Sequence, residues 1–450
     1  MPSAKVLKYV GVSRSGRKSS WKICFQIDDV SFNAFFRPPK QIERETGIRD
    51  VELLAIPLII DIAAQVRPKS VCIGCQNGLP RFSKLFHDAA GSLLDEQAAF
   101  WQRPDFMKRP ELSGKWAVRK NHNKGLRNNH VVLGFSGGKD SIVTLFSLLR
   151  AGYKVHPFLL NEGDRSWQDL RKWIPKLRAI GLKPATAYFL SSRRKQIIET
   201  YGDWYLSSYQ IGLLMGILSM YADKIGAGTI VLGIENSADD NYTRYRDKII
   251  NHQHQKTTRH LRLLEMTYRR LINENIRIGS PISGISDSDV LNILLSHVPR
   301  NLQAFSSCGS ANWRSRNCGK CEKCAFIYAL LQKTRKGKQL SRRIFKRELF
   351  ADVELYRPWV DRRYSSPMAC IGSRQEVWES FEHNLNNNSE LAVIQKWKTS
   401  SFRKEYLSSA HEAKFRWSKL NPLENPVLCA SKLVRKWAGH FVTKGDSSRS

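Results

Sequence analysis

Long apolar runs are missing from this chain. The longest, Leu53 to Val66, is interrupted by Pro57 and Asp61, which argues against a membrane span. The opening stretch, MPSAKVLKYVGVSRSGRKSS, holds no apolar core of signal-peptide length, so the expectation is a soluble, cytoplasmic protein. Acidic residues are scarce: 40 Asp and Glu stand against 73 Lys and Arg, a net charge of +33. Such an excess favours polyanionic partners, whether nucleic acid, nucleotide-linked metabolites or an acidic membrane face, and does not choose among them. A merely basic solvated surface gives the same number. No cluster of aromatic and basic residues forms an RNA-binding signature, and no internal repeat is present.

What is present describes a globular protein of one large domain with additions, or of two to three domains: 450 residues, 42% hydrophobic and 10% aromatic. Its organising stretch is Val131 to Arg150, VVLGFSGGKDSIVTLFSLLR. Val131, Val132, Leu133 and Phe135 form a short apolar strand, and the residues after Ser141 have the apolar content of a packed helix. Between them stands Ser136-Gly137-Gly138-Lys139-Asp140-Ser141. Two glycines at a strand-to-helix corner allow close backbone approach, and the first N–H groups of a helix attract anionic oxygens. Lys139 adds a point charge, Ser136 and Ser141 add hydroxyls, and Asp140 is suited to holding Mg²⁺ among phosphate oxygens. The plainer alternative is a serine-capped tight turn. Neither the GxxxxGK[ST] of a Walker loop nor the GxGxxG of a dinucleotide fold is spelled here.

Before this stretch, Ser20 to Phe36 predicts a β-hairpin turning at Asp28-Asp29, Val51 to Val66 a buried helix and Ser70 to Gly74 a strand. Residues 102–129 read as a linker. After it, strands at Tyr153–Leu160, Ala185–Leu190 and Thr229–Ile234 alternate with helices, which predicts a parallel sheet with helices on both faces. Ligands of such sheets bind beyond the carboxyl ends of the strands. Glu235-Asn236-Ser237-Ala238-Asp239-Asp240-Asn241 follows one strand end and is unusually acidic for this chain, although helix caps and solvated turns also look like this. Asn251-His252-Gln253-His254-Gln255-Lys256 follows, with two histidines but no evident third metal ligand. Ser286 or Asp287 caps a helix over Val290–Val298.

The nine cysteines are an odd count, and Cys308, Cys318, Cys321 and Cys324 are spaced C-x9-C-x2-C-x2-C. Four close thiolates suit a structural, tetrahedral Zn²⁺; an Fe–S cluster and free thiols are the rival readings. The basic stretch after Gln332 faces either phosphates or water.

The hexapeptide at 136–141 resembles the SGGxDS loop of the N-type ATP pyrophosphatases, the PP-loop superfamily. The resemblance implies an adenine nucleotide α-hydrolase-like fold and cleavage of ATP to AMP and pyrophosphate. It makes Ser136, Gly137, Gly138, Lys139, Asp140 and Ser141 the ATP-binding residues, with Lys139 and Asp140 catalytic and Mg²⁺ a cofactor. Two families combine such a loop with a cysteine knuckle. The 7-cyano-7-deazaguanine synthases are similar in this respect but begin at the loop. The layout is closer to the UDP-N-acetyl-α-D-muramoyl-L-alanyl-L-glutamate epimerases of bacterial peptidoglycan synthesis. Glu235-Asn236-Ser237-Ala238 with Asn241 resembles their NE-SAS-x-GN, Asn251 to Lys256 resembles their NHQYSK, and Cys370-Ile371-Gly372 with Glu376 follows in the expected order. The resemblance spans roughly residues 130–380; acidic residues of that family after NHQYSK are replaced by Thr258-Arg259-His260-Leu261-Arg262.

What this implies is an epimerase that inverts the terminal L-Glu of an anionic nucleotide-linked substrate through an acyl adenylate. Glu235, Asn236, Asn241, Asn251, His252 and Gln253 would bind substrate, and His252, His254 and Lys256 are candidates for proton transfer. The alternative, motivated by the charge of +33, is a nucleic-acid or nucleobase modification enzyme of the tRNA or deazaguanine type. The expected domains are an N-terminal α+β domain at 1–125, the PP-loop domain at 126–300, a zinc knuckle at 301–335 and a basic helical extension at 336–450.

Overall fold

Apolar and polar side chains alternate from Trp21 to Ile27 and from Val30 to Arg37, so each stretch buries one row as a strand. A computed structural model of the chain shows them as the expected hairpin. Asp28 takes a left-handed φ of 48° at the turn, and its Oδ1 accepts from the N–H groups of Lys5 and Val6, both at 2.9 Å. The structure describes residues 4–16, 19–74, 79–117, 125–162, 165–191, 209–240, 242–303, 305–306, 317–363, 371–386, 389–409 and 421–439.

The strands are β1 (Val6–Arg14), β2 (Trp21–Ile27), β3 (Val30–Arg37), β4 (Ser70–Ile73), β5 (Glu111–Gly114), β6 (Arg127–Gly134), β7 (Lys154–Asn161), β8 (Ala185–Ser191), β9 (Ala227–Val231), β10 (Tyr242–Tyr245), β11 (Lys248–Asn251) and β12 (Arg277–Gly279). The helices that carry the argument are α1 (Ala55–Val66), α2 (Ser83–Trp101), α3 (Lys139–Arg150), α4 (Gln210–Ile225), α5 (Thr258–Leu271), α6 (Asp287–His297), α7 (Glu322–Leu331), α8 (Arg374–Asn384) and α9 (Leu428–Trp437). Two compact units result: residues 1–134, 153–231 and 244–278 form one, and 135–152, 232–243 and 279–450 the other.

In the first unit, ten strands among the described residues pair in the order β12-β9-β6-β7-β8-β3-β2-β1-β4-β5. The strands β9, β6, β7 and β8 run parallel, as alternating strands and helices predict. The strands of 1–125 and those of 126–300 share this one sheet, because β3 pairs antiparallel with β8. Phe32, Ala34 and Phe36 of β3 are buried, and pairing on β8 satisfies a backbone edge that would otherwise face water. The α/β class with a mostly parallel sheet and flanking helices is therefore as expected. The helix read over Val51–Val66 is broken: a short helix ends at Glu52 and α1 restarts at Ala55. Pro57 has no N–H to give and is tolerated only in a first turn, so the restart lies just before it.

In the second unit α3 packs against α6 and α9. The 336–450 extension is helical where described and has an aromatic core of its own, with Phe350, Tyr356 and Phe381 ring centroids 5.4–5.7 Å apart. Among the described residues, no helix is long and apolar enough to cross a membrane.

Candidate functional site

The corner between residue 134 and α3 is built from glycine and serine. Gly137 has φ 72°, a conformation costly for any residue with a Cβ. Gly138 is the N-cap of α3. Ser141 Oγ donates to the Gly138 carbonyl at 3.0 Å, and Ser136 Oγ lies 3.3 Å from Ser141 Oγ. The turn is thus closed by the same hydroxyls assigned to it from sequence. From the other side Gly233 comes so close that a Cβ there would stand 2.7 Å from the Asp140 carbonyl carbon and 2.9 Å from the Ser141 nitrogen. Only a residue without a side chain lets backbone reach the first turn of α3.

Lys139 is buried, its side chain 6% exposed, among carboxylates. Its Nζ donates to Asp140 Oδ1 at 2.5 Å and to Asp287 Oδ1. Asp287 Oδ2 accepts from Ser237 Oγ at 3.1 Å, and Ser237 Oγ also reaches Glu235 Oε1 at 2.8 Å. Burial works against the Lys139 charge, but Asp140, Asp287 and Glu235 outweigh it and hold the ammonium's pKa above the ordinary lysine value. Burial pushes the Asp287 carboxyl above the carboxylate range, opposed by Lys139 and reinforced by Glu235. Glu376 is raised too, first by burial and then by Asp287, although its Oε1 accepts from the Ser288 N–H at 2.8 Å. A methyl added at Gly372 would run into Asp287 Oδ2 and stand 2.7 Å from Glu376 Oε2, so both carboxyls face one spot.

A pH dependence follows. Glu376 is pushed up to about 8, above the ~4.3 of an unfolded glutamate, so the folded chain holds the proton more tightly. Its stabilising contribution is complete below the unfolded value and is lost as pH rises through the folded one. Melting temperatures of the wild type should fall across that window, and Glu376→Gln, which keeps an acceptor for Ser288 without a charge, should flatten the fall. Parallel melting profiles for the two proteins would contradict this.

The segment that presents Asp287 is tied to the C-terminal part. Ser280 N–H donates to the Leu423 carbonyl at 2.9 Å, while Ser280 Oγ donates to the Ile234 carbonyl at 2.8 Å. Ser286 caps α6 through the Asp289 N–H at 3.1 Å. Asn236 N–H donates to the Ile285 carbonyl at 3.1 Å, which fixes the acidic turn beside the helix start. Asn241 lies outside the described residues.

In the first unit, the residues after β11 are anchored on an acidic face of α2. His252 Nδ1 lies 2.5 Å from Glu96 Oε1, and His254 Nε2 lies 2.9 Å from Asp88 Oδ2. Lys248 reaches Asp95 at 3.1 Å. Asn251 Oδ1 accepts from the Gln253 N–H at 2.7 Å, and Lys256 Nζ donates to Gln253 Oε1 at 3.2 Å. Asn251, His252, Gln253, His254 and Lys256 are therefore gathered in one unit, and the loop residues 136–141 with Glu235 and Asn236 in the other.

Cys318, Cys321 and Cys324 bring their sulfurs within 4.8 Å of one another, with Cys318 and Cys324 at 3.7 Å. The Lys320 N–H donates to Cys318 Sγ at 3.3 Å, which favours thiolate over thiol. This sulfur set fits Zn²⁺. Cys308 and Cys370 lie outside the described residues. Cys321→Ser should remove one zinc equivalent from the purified protein by elemental analysis; undiminished zinc would refute the cysteine site.

Asp287 was legible only as a helix cap and Glu376 only as a residue in an expected order; their acidity inside apolar helical stretches was the available signal. Asp88, Glu96 and His260 gave none.

The loop, the buried lysine and the cysteine cluster frame the similarity to known proteins. The profile of the MurL C-terminal domain matches residues 303–412. That of the queuosine biosynthesis protein QueC matches residues 211–334. The 7-cyano-7-deazaguanine synthase 1 of Desulfitobacterium hafniense (strain Y51) is 26% identical over 137 residues, 26% of this chain. The chain spans 60% of that relative's length. The chain thus resembles both the muramoyl-peptide epimerases, at its C-terminal part, and the PP-loop deazaguanine synthases, at its centre.

Proposed function

We propose that the protein is a PP-loop enzyme that cleaves ATP to AMP and pyrophosphate and uses the AMP to activate a substrate carboxylate. The observation that carries this reading is Lys139, a buried ammonium among Asp140, Asp287 and Glu235 at the start of α3, directly after the Ser136-Gly137-Gly138 turn. A helix N-terminus with serine hydroxyls fits phosphate, and carboxylate oxygens fit Mg²⁺. Mg²⁺ supplies charge neutralisation of the phosphates. Lys139 and the first N–H groups of α3 orient the departing pyrophosphate, a kind of electrostatic support in which one donor is worth about 3 kcal/mol.

The finer reading is an epimerase for the terminal L-Glu of UDP-MurNAc-L-Ala-L-Glu in peptidoglycan precursor synthesis. It is supported by the match of residues 303–412 to the MurL C-terminal domain. The chemistry is coherent: a carboxylate adjacent to a C–H holds that proton tightly, and adenylation removes the negative charge and acidifies the carbon. A base then takes the proton, an acid returns it on the opposite face, and hydrolysis of the acyl adenylate releases AMP. His252, His254 and Lys256 are the proposed titrating or donating groups for this transfer.

A second reading, deazaguanine or tRNA modification, is favoured by the match of residues 211–334 and by the net charge of +33. Purified protein with ATP and Mg²⁺ is incubated with the UDP-muramoyl dipeptide, with tRNA or with a 7-deazaguanine base, and pyrophosphate is measured. The epimerase reading expects release stimulated by the dipeptide, with solvent deuterium entering the glutamate α-position. Release stimulated by tRNA or the base, and not by the dipeptide, would sink it.

A further inference from the structure

The spacing of His252 and His254 offers no third ligand, but the fold supplies one for His254. Asp88 from α2, His254 from the turn before α5 and His260 from the first turn of α5 place Oδ2, Nε2 and Nδ1 within 4.8 Å of one another. We propose that these three side chains form a second metal site, for a divalent first-row transition ion such as Zn²⁺, separate in composition from the cysteine cluster.

The donor atoms converge on one side of Asp88. Its Oδ2 lies 2.9 Å from His254 Nε2 and 2.8 Å from His260 Nδ1. An ion with bonds of ~2.1 Å needs donors ~3.4 Å apart, so a small outward movement of the rings admits it. Two imidazoles and a carboxylate leave room for a further ligand, the composition of open sites rather than closed structural ones. His254 is 20% exposed and Asp88 13%, against 0% for His260, so the fourth side meets solvent.

The surroundings hold the set in place. Thr257 Oγ1 donates to the His254 carbonyl at 2.7 Å and accepts from the His260 N–H at 3.2 Å, which locks the two histidines in register. Tyr209 OH lies 2.8 Å from His260 Nε2, the nitrogen facing away from Asp88. A ligating histidine characteristically has its other nitrogen held in this way. The Tyr209 N–H is itself fixed by Asp61 Oδ1 at 2.7 Å. Arg259 is the cation nearest the carboxylate, 3.5 Å from Asp88 Oδ1 and 85% exposed; it touches the other oxygen and leaves Oδ2 to the imidazoles.

The test uses Zn²⁺ and the full chain. Metal-stripped Cys321→Ser protein, in which the cysteine cluster is disabled, is titrated by calorimetry and should bind one equivalent. Adding His254→Ala should weaken that binding more than ~100-fold, and adding Tyr209→Phe should weaken it ~10–100-fold at unchanged stoichiometry. A second arm avoids reliance on the cysteine variant: the otherwise unaltered chain should bind two equivalents and its His254→Ala form one, with melting temperatures confirming that both are folded. Binding of no Zn²⁺ outside the cysteine cluster, or binding indifferent to His254→Ala, would overturn the proposal.

Discussion

Pyrophosphate release should fall about 10²–10³-fold in an Asp140→Ala variant, with fold and zinc content retained. The side chain is 29% exposed, so its removal opens no deep cavity. Lys139 keeps Asp287 as its carboxylate partner, and the buried ammonium is not orphaned. What is lost is an oxygen donor placed in the first turn of α3, where Mg²⁺ and phosphate charge must be balanced. Turnover should be followed by pyrophosphate release and folding by thermal melting. Undiminished release from a folded variant would place the chemistry elsewhere.

The largest stability effect is expected at a distance from the loop. Arg435 and Glu424 are 3% and 0% exposed, and they meet through Nε–Oε1 at 2.8 Å and Nη2–Oε2 at 2.7 Å. Arg435→Met leaves the buried carboxylate without a cation and should cost about 3–5 kcal/mol in denaturant unfolding. Replacing both, Arg435→Met with Glu424→Leu, should recover most of that loss, because the apolar pair needs no desolvation of charge. The pair sits beside Gly284, and neighbouring Leu423 holds Ser280, so the single variant should also slacken the segment that delivers Asp287. A single-variant cost below about 1 kcal/mol would show that the C-terminal part does not brace the site.

The loop could be read in the sequence because everything that defines it is local. An apolar strand, two glycines and a serine-bearing helix start are contiguous, and the structure closes them with Ser136 and Ser141. The hairpin over Ser20–Phe36 and the cap at Ser286 were legible for the same reason. What the chain does across long separations was not. Lys139 and Asp287 are 148 positions apart, and His254 and Asp88 are 166 apart. No periodicity announces such pairs. The continuation of the sheet from β8 into β3 is likewise a choice between edges, made by which apolar rows find cover. Residues 251–256 were noticed for their polarity, yet the acids that hold them, Asp88 and Glu96, looked like ordinary solvated positions of an amphipathic helix.

The central claim concerns which bond of ATP is cut. Protein incubated with Mg²⁺, the UDP-muramoyl dipeptide, tRNA or the deazaguanine base, and ATP labelled on its α-phosphate should yield labelled AMP in one-to-one ratio with pyrophosphate. Labelled ADP with inorganic phosphate, or intact ATP in every mixture, would contradict the account.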